Sequence, residues 1–161
     1  MDMDFTGGYL LKRKTLKGSI TTDSESYHKS QYPLDEEVAE LGYKLMDAAT
    51  TFHKLHLKVK DLGSYAAHKA LNDLYDALPG HADSLIEGYQ GAVERIIECS
   101  HDEESSKIIC NSVEDALSYI RELTSEITEV QSRIPFSEIV NDLDTVKSTL
   151  NSAKYKLKFL K

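Results

Sequence analysis

The middle of the chain holds five residues of the types that bind transition metals, His56, His68, Asn72, Asp83 and Glu87, with His53, Asp76 and His81 close to them in sequence. Neutral imidazoles and carboxylates suit Fe(II), Mn(II) or Zn(II), and a bound ion with open coordination positions can react with oxygen or peroxide. At about 100° per residue, His68, Asn72, Asp76, Asp83 and Glu87 fall within an arc of roughly 100° on one flank of a helix. Asp83 and Glu87 are spaced i, i+4, which puts both carboxylates on one face. His53 and His56 lie one turn apart and point off the apolar line of an earlier helix. Spacing alone favours the plainer reading, a solvated polar flank that happens to contain histidines.

The elements that must position these groups are legible as apolar stripes advancing by alternating steps of four and three, the mark of helices buried along one side. The first predicted helix spans about 34–61, with stripe Leu34, Val38, Leu41, Leu45, Ala48, Phe52, Leu55, Val59 and Leu62. Pro33 suits its first turn, and Asp35, Glu36 and Glu37 suit its positive end. Gly63 and Ser64 supply a turn and a cap for a second helix over about 64–99, with Leu71, Tyr75, Leu78, Ala82, Leu85, Tyr89, Ala92 and Ile96 inward. Pro79-Gly80 interrupts it, yet the apolar phase holds from Leu71 to Leu85, which predicts a bent helix rather than a turn. A polar connection around Asp102–Ser106 precedes a third helix over about 107–132, which Pro135 ends; the fourth spans about 136–160 and closes on lysines. The prediction is an all-α fold, an antiparallel four-helix bundle over residues 33–161, preceded by an irregular arm over 1–32.

A second line on the second helix, Ala66, Ala70, Ala77, Gly80, Ser84, Gly88 and Gly91, is made of small residues. Such residues let another backbone approach closely, which predicts a homodimer or larger shell through the first two helices, with ligands drawn from two chains.

Length and composition limit the remaining readings. A chain of 161 residues builds one core, and its net charge of -8 excludes non-specific nucleic-acid binding by the folded body. The arm differs locally: Lys12, Arg13, Lys14 and Lys17 stand without an acid among them. They form either a tether for DNA or another anionic partner, or an arm that folds back on a bundle. Cys99 and Cys110 form no CxxC pair; they read as reduced thiols, with a bridge between them left open for an oxidising setting. No apolar run is long enough to span a bilayer, and Met1-Asp2-Met3-Asp4 does not open a signal peptide, so no membrane partner and a cytoplasmic location are expected. Glu98-Cys99-Ser100-His101 and Glu25-Ser26-Tyr27-His28 match ExxH, but their positions at a helix end and in the arm speak against a di-iron site inside one bundle.

The segment from His56 through Asp61, Leu62, Gly63, Tyr65 and His68 to Asp83 and Glu87 resembles the Dps branch of the ferritin-like superfamily. That pattern has a His near the end of the first helix, a second His twelve residues on, an Asp four later and a D-x-x-x-E pair eleven beyond it; here these are His56, His68, Asn72, Asp83 and Glu87. The resemblance implies a ferritin-like bundle in which one subunit supplies His56, His68 and Asn72, and a twofold-related subunit Asp83 and Glu87. It also implies iron, or another divalent transition metal, at a ferroxidase centre between subunits. By position alone His53, Asp76 and His81 could serve as outer-shell partners, His81 reading equally as an exposed histidine. Asn72 stands where the family has a carboxylate, and Leu57 where it has an aromatic residue. The run from Ser64 through His68, Lys69, Ala70 and Leu71 to Glu87, Tyr89, Gln90 and Gly91 is similar to ferritin-like proteins of tailed phages, which would place the chain in a host cytoplasm. A metal-free helical structural or interaction protein is the competing reading, and the Asn72 and Leu57 departures favour it.

Overall fold

The alternating apolar steps become four α-helices: α1 (Pro33–His56), α2 (Ser64–Val93), α3 (Val113–Gln131) and α4 (Ser137–Phe159). They are seen in a computed structural model that describes residues 32–98 and 108–160, and no strand occurs among these residues. The predicted arm, with Lys12, Arg13, Lys14 and Lys17, lies outside the described residues, as does Cys99. The stripes meet in one core, where Phe52, Leu45, Leu55, Leu71, Leu78, Leu85, Leu123 and Leu143 are almost wholly buried. Each such side chain contributes about 1.5–3 kcal/mol relative to exposure, which offsets the entropy cost of ordering these helices.

Three helix ends differ from the sequence expectation. α1 stops at His56, not near residue 61, because the N–H groups of Lys58 and Val59 both turn back to the Leu55 carbonyl. The chain then passes through positive φ at Asp61 (76°) and Gly63 (84°), and Leu62 between them, expected in the stripe, is 99% exposed. α2 stops at Val93 rather than near 99, since Glu94 takes a left-handed φ of 55° and closes the helix onto the Gln90 carbonyl. Ile96, expected inward, is therefore exposed, and Ile97 is buried in its place with its N–H on the Gln90 Oε1. α3 starts at Val113 rather than near 107, where Ser112 and Asp115 form a reciprocal capping box.

Pro79 sits inside an uninterrupted α2, as the unbroken apolar phase predicts. Pro79 and Gly80 lie on the solvent side, where the Tyr75 carbonyl that loses its helical partner can bond water instead.

α1 and α2 are joined by a short turn, but α2 and α3 are not hairpin neighbours. Arg95, just past α2, bonds Asp35 in the first turn of α1, whereas the Ile108 carbonyl accepts from Thr51 Oγ1 far down the same helix. The described ends of the connection thus lie towards opposite ends of the bundle, making the stretch between α2 and α3 a crossover rather than a tight link. Around the bundle α1 packs on α2, α2 on α4, α4 on α3 and, least extensively, α3 on α1. Arg133 after α3 bonds Glu37 near the start of α1, and Lys156 at the end of α4 bonds Asp73 in the early part of α2, so every adjacent pair is antiparallel.

The α1–α2 seam is close. A Cβ at Gly42 would stand 2.5 Å from Ile86 Cδ1, so the glycine leaves the room that the Ile86 side chain fills. The small-residue line of α2, expected to face another subunit, is in part turned to α4 of the same chain. Ala70 is fully buried, and a Cβ at Gly88 would meet Ile139 Cδ1 at 3.0 Å. Gly80 and Gly91 on the same line face open space.

Candidate functional site

The turn after α1 returns the chain so that His56, in its last turn, meets His68, in the second turn of α2. The rings stack with centroids 3.7 Å apart and planes 27° apart. His56 Nδ1 lies 3.0 Å from the His68 carbonyl, and His68 Nδ1 lies 3.3 Å from the His56 carbonyl. A carbonyl oxygen can only accept, so each Nδ1 carries the proton and donates; the neutral tautomer then leaves a lone pair on each Nε2. An imidazole whose Nδ1–H is fixed on a carbonyl is oriented as metal-binding histidines commonly are. His56 is 7% exposed and His68 is exposed, so the pair straddles the surface.

Aromatic side chains complete the corner. Tyr75 stacks on His53 at 4.1 Å and meets His56 edge-on at 5.1 Å. Its hydroxyl donates to Asn72 Oδ1 at 3.0 Å, while Asn72 Nδ2 donates to Asp76 Oδ2 at 2.8 Å. His53, Asp76 and Asn72 therefore gather at this corner, but Asn72 is engaged with its own helix. Tyr75 is the member that sequence reading missed, since its place in the apolar stripe conceals its polar end. The signal was present in its spacing, one turn past Leu71 and three residues after Asn72.

Asp83 and Glu87 are exposed and have no side-chain partner among the described residues. Fifteen residues of helix put Asp83 about 22 Å from His68 along the axis, so within one chain they cannot share an ion with the imidazoles. Among the described residues no three His, Cys, Asp or Glu side chains converge closely enough to hold a metal. His81, a candidate outer-shell partner, lies on the other edge of α2 against α4, because its angular position follows Ala70 and Gly88 rather than His68. Its Nε2 lies 3.0 Å from Thr149 Oγ1, whose own proton goes to the Thr145 carbonyl, so His81 is the donor. Burial lowers the His81 pKa, opposed by the Asp142 carboxylate.

Residues 56–157 match a family described as "Family of unknown function (DUF5856)". No curated protein and no solved structure matches the chain.

Proposed function

Because the chain belongs to the family of unknown function DUF5856, whose description assigns no chemistry, its own side chains must carry the reading; from them we propose a ferritin-like, Dps-type homo-oligomer that binds a divalent transition metal, iron foremost, between two copies. The observation that carries this is the His56–His68 pair, two rings locked by reciprocal bonds to each other's carbonyls with both Nε2 lone pairs left over. Layout supports it: a four-helix bundle with one long crossover is the ferritin-like arrangement.

The donors of one chain fit a metal only in part. Two imidazole nitrogens make an incomplete set, and Asp83 and Glu87 of a second copy are the residues of the right chemistry to complete it; Asn72 is a weaker member because its oxygen already accepts from Tyr75. Bound there, the metal would supply Lewis acidity and, if iron, a site at which Fe(II) as substrate is oxidised. The protein's own contribution is orientation, since the carbonyl bonds fix both tautomers before any ion arrives.

The test is metal content and native mass of the dialysed protein. Bound iron or another transition metal in an oligomer is expected, lost in both His56→Ala and Glu87→Ala with helical circular dichroism unchanged. Wild-type metal stoichiometry in both variants would falsify the assignment.

A second reading, a structural or interaction protein with no redox site, draws on the closed Tyr75–Asn72–Asp76 chain, which ties the polar flank together without an ion. Oxidation of Fe(II) under air no faster than in buffer alone would favour it. The basic segment Lys12, Arg13, Lys14 and Lys17 extends the first reading to DNA in the cytoplasm, a host's where the chain is phage-encoded. Salt-sensitive duplex binding that vanishes on removal of residues 1–32 is its test.

A further inference from the structure

The end of the bundle formed by the α1–α2 turn, the start of α3 and the close of α4 differs in surface chemistry from the rest. Leu57, Leu62, Tyr65, Tyr155, Phe159 and Leu160 are all exposed there. A soluble surface scatters such residues singly; six in the few turns that meet at one end mark an interaction surface. Between the elements opens a cleft of about 590 Å³, walled by Leu55, Val59, Ala67, Val113, Leu157 and Leu160.

Charge is the second observation. The chain is acidic overall at -8, yet Lys54, Lys58, Lys60, Lys69, Lys154 and Lys158 lie in these same turns. None of the six has an acidic partner among the described residues, whereas Lys156 pairs with Asp73 and Lys44 with Glu126. Lys58 and Lys60 line the cleft itself, alongside Asp61 and Glu114. The surplus positive charge of this end therefore comes from lysines in the turns around a cleft whose walls are part apolar and part polar.

We propose that this end is a docking surface for an acidic peptide segment of a partner protein, one that seats an apolar side chain in the cleft and sets carboxylates against Lys58, Lys60 and their neighbours. A lipid surface fits less well, because a plane of headgroups cannot reach the concave walls and would press phosphates against Asp61 and Glu114. A second copy presenting this same end would meet lysine with lysine. The inference is independent of the metal reading, as it uses none of the histidines.

The experiment is a selection from a random dodecapeptide display library on the full chain, followed by anisotropy of the fluorescein-labelled winners. The expected winners combine an apolar anchor with Asp or Glu, bind less tightly as salt rises, and lose at least tenfold in affinity on K58E/K60E. A like loss is expected on L62S, while R121E, a charge reversal on an exposed residue of α3 outside the cleft lining, binds as wild type. All of these substitutions are at exposed positions, and circular dichroism checks each. No winners, winners without an acidic bias, or winners indifferent to K58E/K60E overturn the proposal. Co-sedimentation with phosphatidylcholine–phosphatidylserine vesicles that K58E/K60E abolishes, with no peptide selected, assigns the end to lipid instead and equally overturns it.

Discussion

Arg95 lies beyond the end of α2, yet its guanidinium grips Asp35 in the first turn of α1 through two bonds, Nε to Oδ2 and Nη2 to Oδ1, each 2.7 Å. Tyr89 donates to the same carboxylate at 2.9 Å, and Tyr32 lies 4.0 Å from the guanidinium as a cation–π partner. The cluster fastens the residues just past α2 to the start of α1. Burial and the bond to Asp35 push the Tyr89 hydroxyl up to about 12, keeping it a donor at every ordinary pH.

Acid should undo this cluster. The Arg95 guanidinium, outweighing burial, holds the Asp35 carboxyl below its ordinary value of 3.8. A carboxyl depressed in the folded state adds stability while ionised; the contribution is complete above 3.8 and lost as pH falls through the lower folded value. Arg95→Met is expected to lower Tm by several degrees at neutral pH, with the gap to wild type closing below 3.8. A gap that stays constant on acidification, followed by thermal circular dichroism, would remove the ion pair from the account.

Gly42→Ala should destabilise despite alanine's better helix propensity. The new methyl would stand 2.5 and 2.6 Å from Ile86 Cδ1 and Cγ1, so the Ile86 side chain must leave its place in the seam to admit it. Overpacking of this kind costs about 1–3 kcal/mol. Ile86→Ala in the same chain should recover part of the loss, and a chemically denatured double-mutant cycle that is simply additive would show that the seam relaxes elsewhere.

Pro79→Ala should stabilise by about 1–3 kcal/mol, since the site is exposed, the helix is unbroken, and alanine restores the N–H that Tyr75's carbonyl lacks. If the substitution destabilises, α2 uses its proline for a bend that packing requires. Urea unfolding midpoints decide the sign.

At the histidine corner, Tyr75→Phe keeps the stack on His53 and removes the bond to Asn72, costing about 0.5–1.5 kcal/mol. Asn72→Asp, by contrast, restores an anionic oxygen beside the imidazoles. Under the proposed metal reading it should raise metal retained after dialysis severalfold, measured by elemental analysis. No gain in retention counts against Asn72 as a ligand position.

Cys110 is buried in the core, and burial, aided by Asp115 and Glu122, raises its thiol pKa. Less thiolate and less access both slow its reaction with a disulfide reagent, so modification of Cys110 should be at least tenfold faster in denaturant than in buffer. Equal rates would mean that the end of the crossover opens readily.

The four helices were legible in the chain because burial of one side of a helix leaves a period in its sequence: Val38, Leu45, Leu78, Leu123 and Leu143 all fall inward as their spacing requires. The helical passage through Pro79 was legible for the same reason. The ends were not, because left-handed caps at Asp61 and Glu94 carry no apolar signature, and a stripe can run on past its helix, as Leu62 and Ile96 show. Spacing placed His53, His56, His68, Asn72 and Asp76 near one another, since each is fixed by a helix and one short turn. Only tertiary structure decided which edge of α2 faces α4, and so set His81 on Thr149 and Gly88 against Ile139. It also set Arg95 on Asp35, 60 positions away, and made the second connection a crossover. Pairing across such a distance is set by how four stripes close around one core, which no local pattern records.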